Sequence, residues 1–242
     1  MLYLSRIHSV GEAIRDATVT FKSNEALIEA ERHRENGRWT YLQLRKEAER
    51  FAALLQGQGF APGDRCAILM QNQSKWIFSG LGAFWAGATL VPIDYKLTAK
   101  EQLELLAHCR PRVLVVEYGT WAKLRREEGL RREEGHGDAL ERTLVLVTEA
   151  PQGSDLGPAR RWEQEPAGGF TYRERTRDDV ACIVYSSGTS GTPKGCQLTH
   201  GNYLAQAEIL GNMYPLAEDE RFFSVLPTNH AIDFMVGFQR MA

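Results

Sequence analysis

Cysteine is scarce in this sequence, and what there is of it is badly placed for chemistry in pairs. The 242 residues contain four: Cys66, Cys109, Cys182 and Cys196 lie far apart, no CxxC pair is formed, and His108 next to Cys109 is the one adjacent histidine. That scatter argues against a zinc site and against a disulfide framework, and points to a reduced, cytoplasmic setting. An excess of charge of either sign is also missing. Lys plus Arg number 29 against 31 Asp plus Glu, a formal net charge of -2, so no global field attracts nucleic acid or an anionic membrane, and polyanion binding has to be local. The opening MLYLSRIHSVGEAIRD lacks an apolar stretch of signal-peptide length. One uncharged run, WIFSGLGAFWAGATLVPI at 76–93, approaches bilayer length. Gly80, Gly82, Gly87 and Pro92 divide it into a helix, a turn and a short β-branched strand, which suits a helix packed on a buried parallel sheet rather than a membrane span.

What is present is an alternation of helical and strand signals, long enough to build a sizeable core. EALIEA and RWTY flank Asn36 and Gly37, a hairpin signature with the turn at that dipeptide. Thr40 and Gln43 form a capping box opening a helix whose Leu44, Ala48, Phe51 and Leu55 share one face, and Gly57 and Gly59 end it. The strand RCAILM follows, Ser74 is read as the cap of the next helix, and TLVPI as the next strand. Thr98 and Glu101 make a second capping box, for a helix running to about Cys109. RVLVV and TLVLV are buried strands, and between them the duplicated RREEGL/RREEGH of 125–136 reads as a solvated helix face and loop. Residues 150–177, rich in Gly, Pro and charge, read as an exposed connection. Strands separated by helices predict an α/β fold with a mostly parallel sheet, whose ligands lie at the carboxyl ends of strands.

At such an end, directly after the strand VACIV, stands YSSGTSGTPKG, residues 185–195. Gly188, Gly191 and Gly195 free backbone N–H groups to face an anion, Ser187, Thr189, Ser190 and Thr192 add hydroxyl donors, and Lys194 adds charge. A glycine-rich surface turn that binds nothing is the alternative, and the conjunction of apolar strand, glycines, hydroxyls and one lysine favours phosphate. Three familiar phosphate or catalytic motifs do not match. Lys194 is followed by Gly195 rather than Ser or Thr and preceded by Pro193, so this is no Walker A loop; G-T-S-G-T is not the G-x-S-x-G of a hydrolase elbow; and G-x-G-x-x-G is absent.

The stretch resembles the phosphate loop of the adenylate-forming, or AMP-binding, superfamily of acyl- and aryl-CoA ligases, luciferases and peptide-synthetase adenylation domains. It matches the pattern [YF]-[TS]-S-G-[TS]-[TS]-G-x-P-K-G throughout. RWTYLQLRKEAERFAALLQGQGFAPGDRCAILMQNQ is similar to the family's early W-T-Y-x-E-L helix and following strand, with Gln43 where glutamate is usual, and GATLVPIDYKLTAKEQL to its next core motif. LPTNHAIDFMVGF resembles the motif that carries a histidine or aromatic residue beside the acyl pocket, here His230. Taken by itself, His230 is a lone histidine near a strand end, a position more often structural than functional.

The resemblance implies the layered αβαβα N-terminal domain of adenylate-forming enzymes, with residues 1–242 a partial AMP-binding domain and the phosphate loop at 185–195. It also implies a two-step acid–thiol ligation: a carboxylic acid attacks ATP with Mg2+ to give an acyl-adenylate and pyrophosphate, and coenzyme A displaces AMP. Ser187, Gly188, Thr189, Ser190, Gly191, Thr192, Lys194 and Gly195 would hold the phosphates, and His230 would gate the acyl site. The family's later Y-G-x-T-E and Y-x-T-G-D segments and its C-terminal lysine domain are not found among these residues. The expectation is therefore a chain that is catalytically incomplete alone, self-associating or completed by a chain carrying the other half. Two alternatives remain: a non-catalytic nucleotide- or phosphate-binding module, and a remnant acting only in assembly with another chain.

Overall fold

The computed structural model describes residues 6–135, 139–165, 168–186, 194–213, 220–224 and 226–228. The apolar runs form one seven-stranded sheet. In chain order its strands are β3 (Arg65–Leu69), β4 (Thr89–Pro92), β5 (Val113–Glu117), β6 (Leu144–Thr148), β7 (Arg160–Arg161), β8 (Val180–Ser186) and β9 (Lys194–Thr199). They lie in the order β7-β6-β5-β3-β4-β8-β9. Every neighbouring pair is parallel except β8 and β9, which run antiparallel. Ahead of the sheet, β1 (Glu25–Glu31) and β2 (Arg34–Thr40) make a separate antiparallel hairpin.

Alternation along each strand sends successive side chains to opposite faces, so two cores form. On one face Cys66, Ile68, Leu90, Val113 and Val115 pack against α1 (Val10–Thr20), α2 (Tyr41–Gly57) and α3 (Ser74–Trp85). On the other, Ala67, Leu69, Val91, Leu114 and Val116 pack against α4 (Ala99–Cys109) and α5 (Tyr118–Glu133). A final helix, α6 (His200–Met213), sends Tyr203 into the first core. The result is the expected α/β class with a mostly parallel sheet between helical layers. No helix of the described residues is long and apolar enough to cross a membrane, because α3 stops at Trp85 and the chain turns at Gly87, φ 81°, into β4.

Both capping boxes form as read, Thr40 with Gln43 and Thr98 with Glu101. Three local expectations need correction. The hairpin is present, but Asn36 and Gly37 lie inside β2 and the turn falls at Arg32–His33, with Arg32 at φ 49°. Register here is decided by Trp39, whose ring packs edge-on against Phe78 and lies over Gly37, where a Cβ would come within 2.2 Å of it. Ser74 does not cap α3; Gln73 holds the cap position without a side-chain bond, and the Ser74 N–H donates to Glu29 Oε2 of the hairpin at 2.6 Å. Residues 150–177 are not simply an exposed connection. Trp162 is buried, stacks on Phe51 and Phe78, donates from its indole to Ser79 Oγ at 2.9 Å, and lies beneath the Arg50 guanidinium. A bulky aromatic can thus anchor a polar loop, which composition averages away.

Candidate functional site

The sheet grows outward from β3 in both directions, with β4 and β8 to one side and β5, β6 and β7 to the other. The connections leaving β3 and β5 separate to opposite faces, α3 into one core and α5 into the other. A parallel sheet opens a crevice at such a divergence, beyond the carboxyl ends of its strands.

Two described features stand on this edge. The first is the end of β8, where Ser186 pairs with Lys194 and Tyr185 with Gly195 across the antiparallel ladder. Lys194 and Gly195 are thus strand residues at the start of β9. Gly195 sits against the opposite side chain, where a Cβ would approach Ile183 Cγ2 to 2.9 Å. The Lys194 side chain is exposed and makes no ion pair among the described residues. The strand end is tied to α4, since the Tyr185 hydroxyl and His108 Nδ1 lie 2.6 Å apart with their rings edge to face. Burial pushes the Tyr185 phenol up to about 12, with Cys109 beside it adding to the rise and Arg65 opposing it. It therefore stays protonated at neutral pH and serves as a neutral anchor.

The second feature is the end of β3. Asn72 donates from Nδ2 to the Leu226 carbonyl at 2.7 Å and accepts the Thr228 N–H on Oδ1 at 2.7 Å. Upstream of that contact, Arg221 pairs with Glu25 of the hairpin at 3.0 Å. The described residues 220–224 and 226–228 thus touch β1 through Arg221 and the turn after β3 through Leu226 and Thr228. Adjacent strands are about 4.8 Å apart, so the β3 and β8 ends, with β4 between them, are separated by about 10 Å, less than the length of a nucleotide. Next to Asn72, the Gln71 N–H donates to Glu117 Oε2 at 3.2 Å, and Lys75 Nζ lies 3.0 Å from Glu149 Oε1. Glu149 thus has a cationic partner, while Glu117 is held by hydrogen bonds from the Gln71 N–H and the Thr120 hydroxyl.

Of the residues singled out by sequence, Lys194 and Gly195 are placed at the end of the β8–β9 ladder. Ser187, Gly188, Thr189, Ser190, Gly191 and Thr192, which join β8 to β9, and His230 lie outside the described residues. Sequence reading did not single out Asn72 or the Tyr185–His108 contact. The polar run QNQ directly after an apolar strand was the available signal for Asn72, whereas nothing local links His108 to Tyr185, 77 positions away. Among the described residues no group of three or more His, Cys, Asp or Glu side chains could hold a metal ion.

The profile of the family described as AMP-binding enzyme matches residues 14–239. A CoA ligase of Rhodococcus jostii, named for a 7a-methyl-1,5-dioxo-octahydro-1H-inden-4-yl propanoyl substrate, is 30% identical over 220 residues, 83% of this chain and 40% of that ligase. The crotonobetaine/carnitine–CoA ligase of Shigella dysenteriae is 28% identical over 199 residues, 80% of this chain and 37% of the relative. Among solved structures, the N-terminal domain of FACL13 from Mycobacterium tuberculosis superposes with a TM-score of 0.80 at 25% identity, over 97% of this chain and 55% of that one. The fatty acyl-adenylate ligase of Legionella pneumophila, solved with acyl adenylate and pyrophosphate, superposes with a TM-score of 0.77 at 20% identity, over 100% of this chain and 39% of its own. The chain spans about 40% of the length of the curated relatives it matches.

Proposed function

The chain belongs to the AMP-binding enzyme family, and from that premise we propose that it is the N-terminal part of an ATP-dependent ligase that activates a carboxylic acid as its adenylate and passes the acyl group to coenzyme A. What supports the reading is that Tyr185 and Ser186 end β8, and Lys194 and Gly195 open β9, at the carboxyl edge of a parallel sheet, with the Lys194 side chain exposed and without an ion pair among the described residues. In the first step a carboxylate oxygen forms a bond to the α-phosphorus of ATP and the bond to pyrophosphate breaks. In the second, a thiol sulfur bonds to the acyl carbon and AMP departs with the electron pair of the broken C–O bond. Nucleotidyl transfer of this kind depends mainly on positioning and on stabilising the charge of the leaving phosphates.

This chain's share of that task is the polyphosphate cradle. Ser187, Gly188, Thr189, Ser190, Gly191 and Thr192 supply backbone and hydroxyl donors, Gly195 lets β9 lie close against β8, and Lys194 supplies the cation. His230 lines or gates the acyl site. Magnesium would accompany ATP, but the described residues assemble no carboxylate cluster for it, so no step is assigned to a metal here. The test is calorimetric titration with ATP and with pyrophosphate. A charge-assisted hydrogen bond contributes about 1.5 to 3 kcal/mol, so Lys194→Ala is expected to weaken binding by roughly tenfold to a hundredfold. The side chain is exposed, so the fold should be unchanged. Equal affinities in wild type and variant would refute the cradle, and no binding by either would leave the chain a partner-dependent remnant.

A further inference from the structure

The end of the β8–β9 ladder, which carries Lys194, overhangs the rest of the sheet. β8 meets β4 with Cys182 opposite Leu90, and carrying that parallel register forward sets Pro92, the last residue of β4, level with Val184. Tyr185 and Ser186 therefore extend past β4, and their partners Gly195 and Lys194 belong to β9, the outermost strand. The ladder joins these four residues to one another and not to β4, so the tie to the body of the fold is made by side chains. The Tyr185 ring packs against the core beneath α4 and α5. Its hydroxyl lies 2.6 Å from Nδ1 of His108 in the last turn of α4, and the two rings meet edge to face, 5.6 Å between centroids. The same ring lies beside Gly195, where a Cβ would come to 3.5 Å from Tyr185 Cε1 and 3.6 Å from Cζ, the carbon that bears the hydroxyl. α4 is itself held at both ends, by the Thr98–Glu101 box at its start and by burial of Leu105, Leu106 and Cys109 towards its finish. Contact thus runs from α4 through His108 and the Tyr185 ring to the backbone residue next to Lys194.

We propose that His108, acting through Tyr185, is a positioning residue for Lys194: its hydrogen bond fixes the Tyr185 ring, and the ring fixes the Gly195 backbone and with it the root of the lysine that meets a phosphate. The proposal rests on the polyphosphate-cradle reading above and adds to it a helix residue 86 positions before the lysine. A lysine ammonium is a point charge on a flexible four-carbon stem, so a loosely held root adds to the freedom that must be given up when an anion binds. His108 is exposed, and replacing it by alanine on a helix removes the hydrogen bond with little loss of packing. The effect on binding should therefore pass through one donor. It is present while Lys194 is there to be positioned and vanishes when the ammonium is gone.

The test is a double-mutant cycle on the full chain, with pyrophosphate as the titrant in calorimetry. His108→Ala and Tyr185→Phe each remove the hydrogen bond from one side, and the phenylalanine ring can still lie beside Gly195. Each is made in the wild-type background and in Lys194→Ala. Loss of one partly exposed neutral hydrogen bond predicts roughly two- to fivefold weaker binding in the wild-type background and no further loss in Lys194→Ala. Backbone order parameters from nitrogen-15 relaxation of the ligand-free protein should fall at Lys194 and Gly195 in both single variants. A general loosening of the fold would instead weaken binding equally in the two backgrounds, and that result would overturn the proposal. So would unchanged affinity in both His108→Ala and Tyr185→Phe, or order parameters at Lys194 and Gly195 that match the wild type. Failure of the cradle reading is distinguishable, because either the wild type would bind no pyrophosphate or Lys194→Ala alone would cost nothing, and the positioning role would fall with it.

Discussion

His200 makes the stability of this fold depend on pH in a direction and range that can be worked out from its surroundings. It is the first residue of α6 and is 1% exposed. Its Nδ1 accepts the Val10 N–H at the start of α1 at 3.3 Å, and its ring meets Phe84 of α3 edge to face, 5.6 Å between centroids. Nε2 is buried with no partner among the described residues. The proton of the neutral ring therefore sits on Nε2, and a second proton would have to go to Nδ1, displacing the acceptor on which α1 depends. Burial pushes the imidazole down from the ordinary 6.5 to about 4; the nearby Arg175 guanidinium lowers it further and Asp179 opposes both. The unfolded chain takes up the proton more readily than the folded one, so the contribution is fully present above pH 6.5 and is lost as the pH falls towards 4. Over the whole window the loss is about 3 kcal/mol, and about 2 kcal/mol of it has gone by pH 5. His200→Asn supplies the control, because its amide oxygen can still accept from Val10 but does not titrate. Urea unfolding of both proteins from pH 8 to pH 4.5 should show the wild type losing its advantage over the variant below pH 6.5, while carboxylates such as Asp179 affect both alike. Parallel stability curves across that range would refute the assignment of a neutral, buried His200.

Two further outcomes follow from the packing and from the chemistry. Gly82→Ala would place a methyl group 2.5 Å from the Ala48 carbonyl oxygen and 2.9 Å from Phe51 Cβ, forcing α3 away from α2; overpacking of this kind costs roughly 1–3 kcal/mol or more, and a variant with the wild-type urea midpoint would show the contact to be less close than described. Pyrophosphate exchange, assayed on the purified 242-residue chain with a panel of carboxylic acids, should stay at background under the proposal that this chain supplies only the polyphosphate cradle, because groups that act as one unit give little activity when taken singly; acid-dependent exchange would overturn that division of labour.

Much of this architecture is local and could be read without coordinates. A capping box is a matter of residues three apart, so Thr40–Gln43 and Thr98–Glu101 and the helices they open were legible. The strands at Val113–Glu117 and Leu144–Thr148 declare themselves by β-branched runs too short and too apolar for anything else. The stretch 185–195 is local in the same sense, consecutive small and hydroxylated residues of the kind that cradle an anion, and its reading as a phosphate loop is the proposal that the titration tests. The rest was decided by partners distant in sequence. Asn-Gly is the stronger turn signal in isolation, yet the ring of Trp39 over Gly37 and against Phe78 moved the turn to Arg32–His33. A polar, proline-rich connection became part of the core because one aromatic, Trp162, found Phe51, Phe78 and Ser79. Strand order, with β3 central and β8 beside β4, follows from which faces the helices could cover, and no window of sequence contains that choice. The contact of Asn72 with Leu226 and Thr228 is of the same kind: an exposed amide after a strand carries no local instruction, and only the folding of the chain back across the edge of the sheet gives it a carbonyl to donate to and an N–H to accept.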